Sequence, residues 1–258
     1  MKRTLSIFLM TAVIFCANIF AQEMSNDVKK LYNAAIKAQK SGDFAGAVAK
    51  IDEALKLEKH PELFFRKGVA LRKNNKPELA IQSFQEAIKL KPEYDAAHFY
   101  IGSSLFSGKK YEDAIAAFEK TMEVTKNKKY KRAAEKNIKK CKEKIAYPFV
   151  VEGNTLTGAS KWDAAISKFK KANEVFPRAD AFAGLANAYY EKGDYASSIK
   201  SASESLKLNK KKNAAAHFFL AMSYKAQNNA AKAKEHFLKC KKDKNFRQRA
   251  EYELKEMK

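Results

Sequence analysis

Between residues 28 and 245, small and bulky apolar side chains recur in fixed columns, and the columns predict pairs of helices. One column reads Ala35, Gly68, Gly102, Gly153, Ala186 and Ala221, and three residues later stand Ala38, Leu71, Leu105, Leu156, Tyr189 and Tyr224. A second set reads Ala47, Ala80, Ala114, Ala165, Ser198 and Ala233, followed four residues on by Ile51, Phe84, Phe118, Phe169, Ala202 and Phe237. Spacings of three and four put such residues on one helical face, so each pair of columns marks a helix with one buried side. Small residues at matching places let the two helices approach closely. Six helical hairpins are expected.

Between the two helices of each pair lies a turn: Gly42-Asp43-Phe44, Lys76-Pro77, Lys110-Tyr111, Lys161-Trp162, Gly193-Asp194-Tyr195 and Asn228-Asn229. Gly and Asn accept a left-handed backbone, and Asp can cap the helix that follows. Trp162 shares the aromatic turn column with Phe44, Tyr111 and Tyr195, so it is expected to pack and not to hold a ligand. The unit from Pro61 to Pro92 is the clearest: Phe64, Gly68 and Leu71, then Ala80, Phe84 and Ala87, then the closing Pro92. It resembles the tetratricopeptide repeat, with Lys67 where that pattern usually has Leu. The resemblance covers nearly all of residues 28–245. It implies an all-α, right-handed α-solenoid of six tetratricopeptide-like hairpins, with the first helices lining a concave face.

The spacing breaks once. Gly68 and Gly102 are 34 residues apart, whereas Gly102 and Gly153 are 51 apart, which leaves room for an extra helix of about 17 residues. Its apolar seam is Tyr130, Ala134, Ile138, Cys141 and Ile145. The end of the chain repeats it: Phe246, Ala250, Leu254 and Met257 keep the spacing, and "YKRAAEKNIKKCK" aligns without a gap to "FRQRAEYELKEMK". Ala97–Ile101 likewise recurs as Ala216–Leu220. Solenoids need ends with a polar outer face. The chain therefore reads as two three-repeat modules, each closed by a capping helix: residues 1–21 a leader, 22–146 the first module with a basic cap, 147–258 the second. A joint is expected at Tyr147-Pro148.

The leader carries Lys2 and Arg3, then an almost unbroken apolar run from Leu5 to Ala17, then Ala21 before Gln22. That order is expected of a secretory signal peptide cut near Ala21, which makes the protein periplasmic or secreted; the alternative is an uncleaved N-terminal membrane anchor. With 51 Lys and Arg against 29 Asp and Glu, the formal net charge is +22. Such a field draws acidic partners and anionic surfaces and says nothing of fold. Export disfavours nucleic acid. Only Cys141 and Cys240 follow the leader, with no Cys-x-x-Cys pair and no Cys/His cluster, so both are read as packing residues.

No catalytic set can be assembled, and neither a metal nor a cofactor is expected. His98 and His217 occupy one repeat column, which points to duplicated packing; no Gly-rich phosphate loop and no Gly-x-Ser-x-Gly elbow occurs. Glu86 with Lys89 and Glu204 with Lys207 read as ordinary surface pairs. In the resembled family the groove is lined mainly by first helices, and the corresponding residues here are Tyr32, Ile36, Phe65, Val69, Phe99, Phe106, Tyr190, Phe218 and Met222. This apolar, aromatic lining suits a polypeptide partner. The basic clamp that some members close on a peptide carboxylate is not matched. Its positions in the first module are Tyr32, Ile36, Arg66, Ala96 and Tyr100, of which only Arg66 is basic. Off the cap seam lie Lys131, Arg132, Lys139, Lys140, Lys142 and Lys144. They form a positive surface: a solvated face, or a dock for an acidic envelope polymer or lipid surface. The expected function is that of an exported scaffold with no enzymatic activity.

Overall fold

The computed structural model describes residues 23–209 and 213–257, so the leader expected over residues 1–21 lies outside the described residues. Among the described residues the chain is all α, with thirteen helices. They are α1 (Asn26–Lys40), α2 (Phe44–Leu57), α3 (Pro61–Lys73), α4 (Pro77–Leu90), α5 (Asp95–Ser107), α6 (Tyr111–Val124), α7 (Lys128–Gly158), α8 (Trp162–Val175), α9 (Ala179–Glu191), α10 (Tyr195–Leu208), α11 (Ala214–Ala226), α12 (Ala230–Cys240) and α13 (Arg247–Glu256). Consecutive helices pack as hairpins, in the manner of a tetratricopeptide solenoid. The chain divides into two compact units, Met1–Cys141 and Lys142–Lys258.

The column residues form the cores. Each side chain of the two small columns is buried, and so are Ile51, Phe84, Phe118, Phe169, Ala202 and Phe237. A Cβ added at Gly68 would come within 2.5 Å of the Phe84 ring, one at Gly102 within 2.7 Å of Phe118, and one at Gly153 within 2.6 Å of Phe169. Glycine in the first helix therefore makes room for phenylalanine in the second. Each such ring, fully buried, stabilises the fold by about 1.5–3 kcal/mol. The hydroxyl of Ser198, which replaces alanine in its column, is satisfied: it donates to the Ala186 carbonyl at 2.8 Å and accepts from Ser223 Oγ at 2.8 Å.

Every hairpin turns in the same way. The residue at the turn has positive φ: Gly42, Asn75, Lys109, Ser160, Gly193 and Asn228. The next residue's N–H reaches back five places, from Asp43 to Ala38, Lys76 to Leu71, Lys110 to Leu105, Lys161 to Leu156, Asp194 to Tyr189 and Asn229 to Tyr224. This closure satisfies carbonyls that the end of a helix otherwise leaves open. Asp43, Asp194 and Asn229 then cap the second helix by accepting from Gly46, Ser197 and Lys232. The column Ala38–Tyr224 thus supplies carbonyl acceptors as well as packing. Lys109 and Ser160 hold the left-handed position without being Gly or Asn.

The extra helix departs from expectation in its end. It does not stop at Tyr147-Pro148: α7 runs on to Gly158, with Pro148 inside it. The proline lacks the N–H that the Lys144 carbonyl would accept, which costs one bond without ending the helix. In the first unit Ala134 and Cys141 are buried and join Phe118, with Ile138 packed beside them. In the second, Ala250 is buried against Phe218 and Phe237, with Phe246, Leu254 and Met257 around it. The expected seams pack against the hairpin before them, except that Ile145 is not part of the first unit's core.

Candidate peptide-binding face

In the first unit α1 and α3 lie side by side, and Phe44 at the start of α2 closes one end of the space between them. Here a cleft of about 270 Å³ is lined by Ile36, Gln39, Lys40, Phe44, Arg66, Val69, Ala70 and Lys73. Its floor is apolar, and three cations stand around it. The volume lies just below the range of small-molecule sites, so it suits one inserted side chain. Gln39 fixes the two helices together by donating to the Arg66 carbonyl at 3.2 Å.

A carboxylate organises the neighbouring rings. Glu62, in the first turn of α3, accepts from Tyr32 Oη at 3.1 Å, from Arg66 Nε at 2.7 Å and from Tyr94 Oη. The Arg66 guanidinium also lies 5.9 Å from the Tyr32 ring centre and 5.8 Å from that of Phe65. Burial, with Glu62 second, raises the phenol pKa values of Tyr32 and Tyr94. Burial works to lower the pKa of Arg66, but its bond to Glu62 and the carboxylate charge prevail, and the value rises. Arg66 is thus held and neutralised by Glu62, which leaves Lys40 and Lys73 as the exposed charges at the cleft.

The expected groove residues divide into two groups. Ile36 and Val69 line the cleft, with Tyr32 beside it on Arg66. Phe65 and Phe218 do not line anything: they are 7% and 1% exposed. Phe65 is sealed by Phe84, Tyr94 and Tyr100, and Phe218 by Phe219, Phe237 and Phe246. Phe99 is half-buried among Tyr100, Phe118 and Tyr130. Phe106 lies on Tyr111, Tyr190 on Tyr195 and Phe219, and Met222 packs at the edge of the core of the second unit. Periodicity identifies the face these rings share but not which of them a neighbour covers.

A second cleft, of about 450 Å³, was not foreseen. It lies between α8 and α10 over α9, with Phe182, Leu185 and Tyr189 as its floor. Lys170, Glu174, Lys200 and Glu204 surround it, so its rim has no preferred sign. Asn173, on its wall, accepts the Arg178 N–H on Oδ1 at 2.9 Å, while its buried Nδ2 has no hydrogen-bond partner among the described residues. The signal was present in the sequence: Asn173 stands in a column that Leu55, Ile88, Met122 and Leu206 hold in four other repeats, with Lys241 in the last.

The titratable groups have structural roles. His60 accepts the Glu62 N–H at 3.2 Å as a helix cap, and His98 Nε2 contacts the Pro92 carbonyl at 2.8 Å. His217 and His236 bring their Nδ1 atoms to 3.0 Å. Cys141 and Cys240 are free, buried thiols; burial pushes Cys240 up to about 11 and raises Cys141 as well, so neither is poised as a thiolate. Glu86–Lys89 and Glu204–Lys207 pair at 2.6 Å, as their spacing predicts. Lys131, Arg132, Lys139, Lys140, Lys142 and Lys144 are all exposed on α7.

A sequence profile of the tetratricopeptide repeat matches residues 32–95, 65–122, 150–207 and 184–241. The small glutamine-rich tetratricopeptide repeat-containing protein 2 of Mycosarcoma maydis is 27% identical over 89 residues, which are 34% of this chain and 25% of that one. This chain therefore matches only a quarter of that relative. Among solved structures, the TPR2AB domains of yeast Sti1 in complex with pHSP90 are 17% identical, with a TM-score of 0.47, covering 89% of this chain and 96% of that one. The tetratricopeptide domain of P58(IPK) is 18% identical, with a TM-score of 0.43, covering 90% of this chain and 64% of that one. Tetratricopeptide repeats are typically non-enzymatic scaffolds that mediate protein–protein interaction. With the profile matched over more than half its length and the hairpin columns packed as the repeat requires, the chain belongs to the tetratricopeptide repeat family.

Proposed function

We propose that this protein is an exported, non-catalytic scaffold, built of two three-repeat modules, that holds a polypeptide on its first-helix face. The observation that carries this reading is the cleft between α1 and α3. Ile36, Phe44 and Val69 offer an apolar seat for one side chain, while Lys40 and Lys73 stand exposed beside it. The partner that fits is a segment with a large apolar residue flanked by carboxylates. Because Arg66 is engaged by Glu62, recognition rests on the seated side chain and the two lysines, not on a clamp around a terminal carboxylate.

The test is fluorescence anisotropy with labelled peptides of acid–apolar–acid and base–apolar–base design. The acidic series should bind at least about tenfold more tightly, a difference of about 1.4 kcal/mol. Val69→Asp should remove that binding, and Lys40→Glu with Lys73→Glu should reverse the preference between the two series. Equal affinity for both series in the native protein would count against the assignment.

A further inference from the structure

The N-terminal part of α7 is the one inserted helix among the repeats of the first unit, and its two faces differ sharply. One face, with Ala134, Ile138 and Cys141, packs on α6. The other presents Lys129, Arg132, Lys136 and Lys140, spaced three, four and four, with Lys128 and Lys139 alongside; all six are exposed. From Lys128 to Lys140 the row spans roughly 18 Å at 1.5 Å per residue. Some lysines elsewhere find carboxylates, as Lys50 does with Glu53 and Lys120 with Glu123. Lys129, Arg132, Lys136 and Lys140 pair with none among the described residues.

A capping role does not require this charge, and the chain contains its own control. Tyr130–Lys142 has six Lys or Arg and one Glu, 6 − 1 = +5, whereas the aligned Phe246–Lys258 has four and three, 4 − 3 = +1. Both helices bury the same seam against a hairpin. In the second copy a carboxylate, Glu253, is engaged by Lys225 at 2.5 Å. The same packing is therefore reached with almost no net charge, and the excess on α7 serves something outside the fold.

We infer that the outer face of α7 is a docking surface for an anionic lipid bilayer. Two features select the bilayer over another polyanion. The cations form a row along one helix, and such a row can meet a charged plane with all its members at once. Moreover, the sequence reading of the apolar run Leu5–Ala17, as an export signal or as an anchor, would bring this chain to a membrane in either case. Each lysine or arginine near an anionic leaflet adds a small, screened attraction, so a row of six gives reversible, salt-sensitive attachment.

Co-sedimentation of the full chain with vesicles tests this, comparing neutral phosphatidylcholine with a phosphatidylcholine–phosphatidylglycerol mixture at low and high salt. The apolar N-terminal run contributes to both lipids, so the difference between them isolates the charge. The mixed vesicles should bind at least about 100-fold more tightly at low salt, and most of that gain should vanish at high salt. Arg132→Glu with Lys136→Glu and Lys140→Glu should abolish the gain. Lys37→Glu with Lys56→Glu and Lys234→Glu, which changes net charge equally at other exposed sites, should retain most of it. Circular dichroism confirms that both variants keep their helix content. Equal losses in the two variants would overturn the inference, as would no preference for anionic lipid. So would an α7 variant that keeps the lipid gain while losing affinity for an oligonucleotide, since the face would then belong to nucleic acid.

Discussion

Gly68 shows how one residue sets the distance between two helices. With the Phe84 ring 2.5 Å from where a Cβ would stand, Gly68→Ala should destabilise the first unit by about 1–3 kcal/mol despite alanine's better helix propensity. Combining it with Phe84→Leu should recover part of that loss, which a denaturant double-mutant cycle would detect as a favourable coupling. The buried serines predict a cycle of the same sign. Ser198→Ala leaves the Ser223 hydroxyl without its acceptor and should cost about 1–3 kcal/mol, while removing both hydroxyls should cost less than the single change. At Ser160 the prediction is a gain: its φ is 56°, so Ser160→Gly should stabilise by about 1 kcal/mol in the same denaturant measurement. The small columns and the Gly and Asn turns were visible in the sequence because each residue type answers a local demand. Lys109 and Ser160 were not, since the fold imposes the turn on residues that do not ask for it.

At the scale of helices, the hairpin α11–α12 carries the clearest dependence on pH. Burial, then His236, then Lys239 depress His217 from 6.5 to about 4, and burial, then Lys239, depress His236. Tyr224 stacks on His236 from α11, while Lys232, Lys239 and Glu235 surround the pair from α12. The folded state thus binds fewer protons than the unfolded state. Its stability is complete above pH 6.5 and falls as the pH drops from 6.5 toward 4. Thermal melts should show a steeper loss across that window for the native chain than for His217→Gln with His236→Gln; parallel losses would remove the pair as the cause. The hairpins themselves could be read from periodicity, but the length of α7 could not. The end of the cap before Tyr147-Pro148 suggested a joint, whereas the structure keeps one helix and accepts a lost hydrogen bond.

For the whole molecule, the family and the repeat number followed from columns that recur six times, because stacking one hairpin on another needs the same contacts each time. The expected first-helix face was legible only in part. Of its residues, Ile36 and Val69 line a cleft, but Phe65 and Phe218 are sealed by surrounding rings, most of them from other helices, a long-range fact that no local pattern encodes. Lys40 and Lys73 were not singled out, since lysine is common throughout this basic chain and its position beside an apolar seat appears only after folding. The most direct test of the account is site-specific photocrosslinking in the cells that make the protein, with a photoreactive residue at Val69 in the first-helix cleft or at Lys170 on the second-helix side. The account predicts discrete polypeptide adducts from position 69, suppressed by Lys40→Glu with Lys73→Glu, and few or none from position 170. Adducts at 170 but not at 69, or adducts at 69 indifferent to the two lysines, would contradict it.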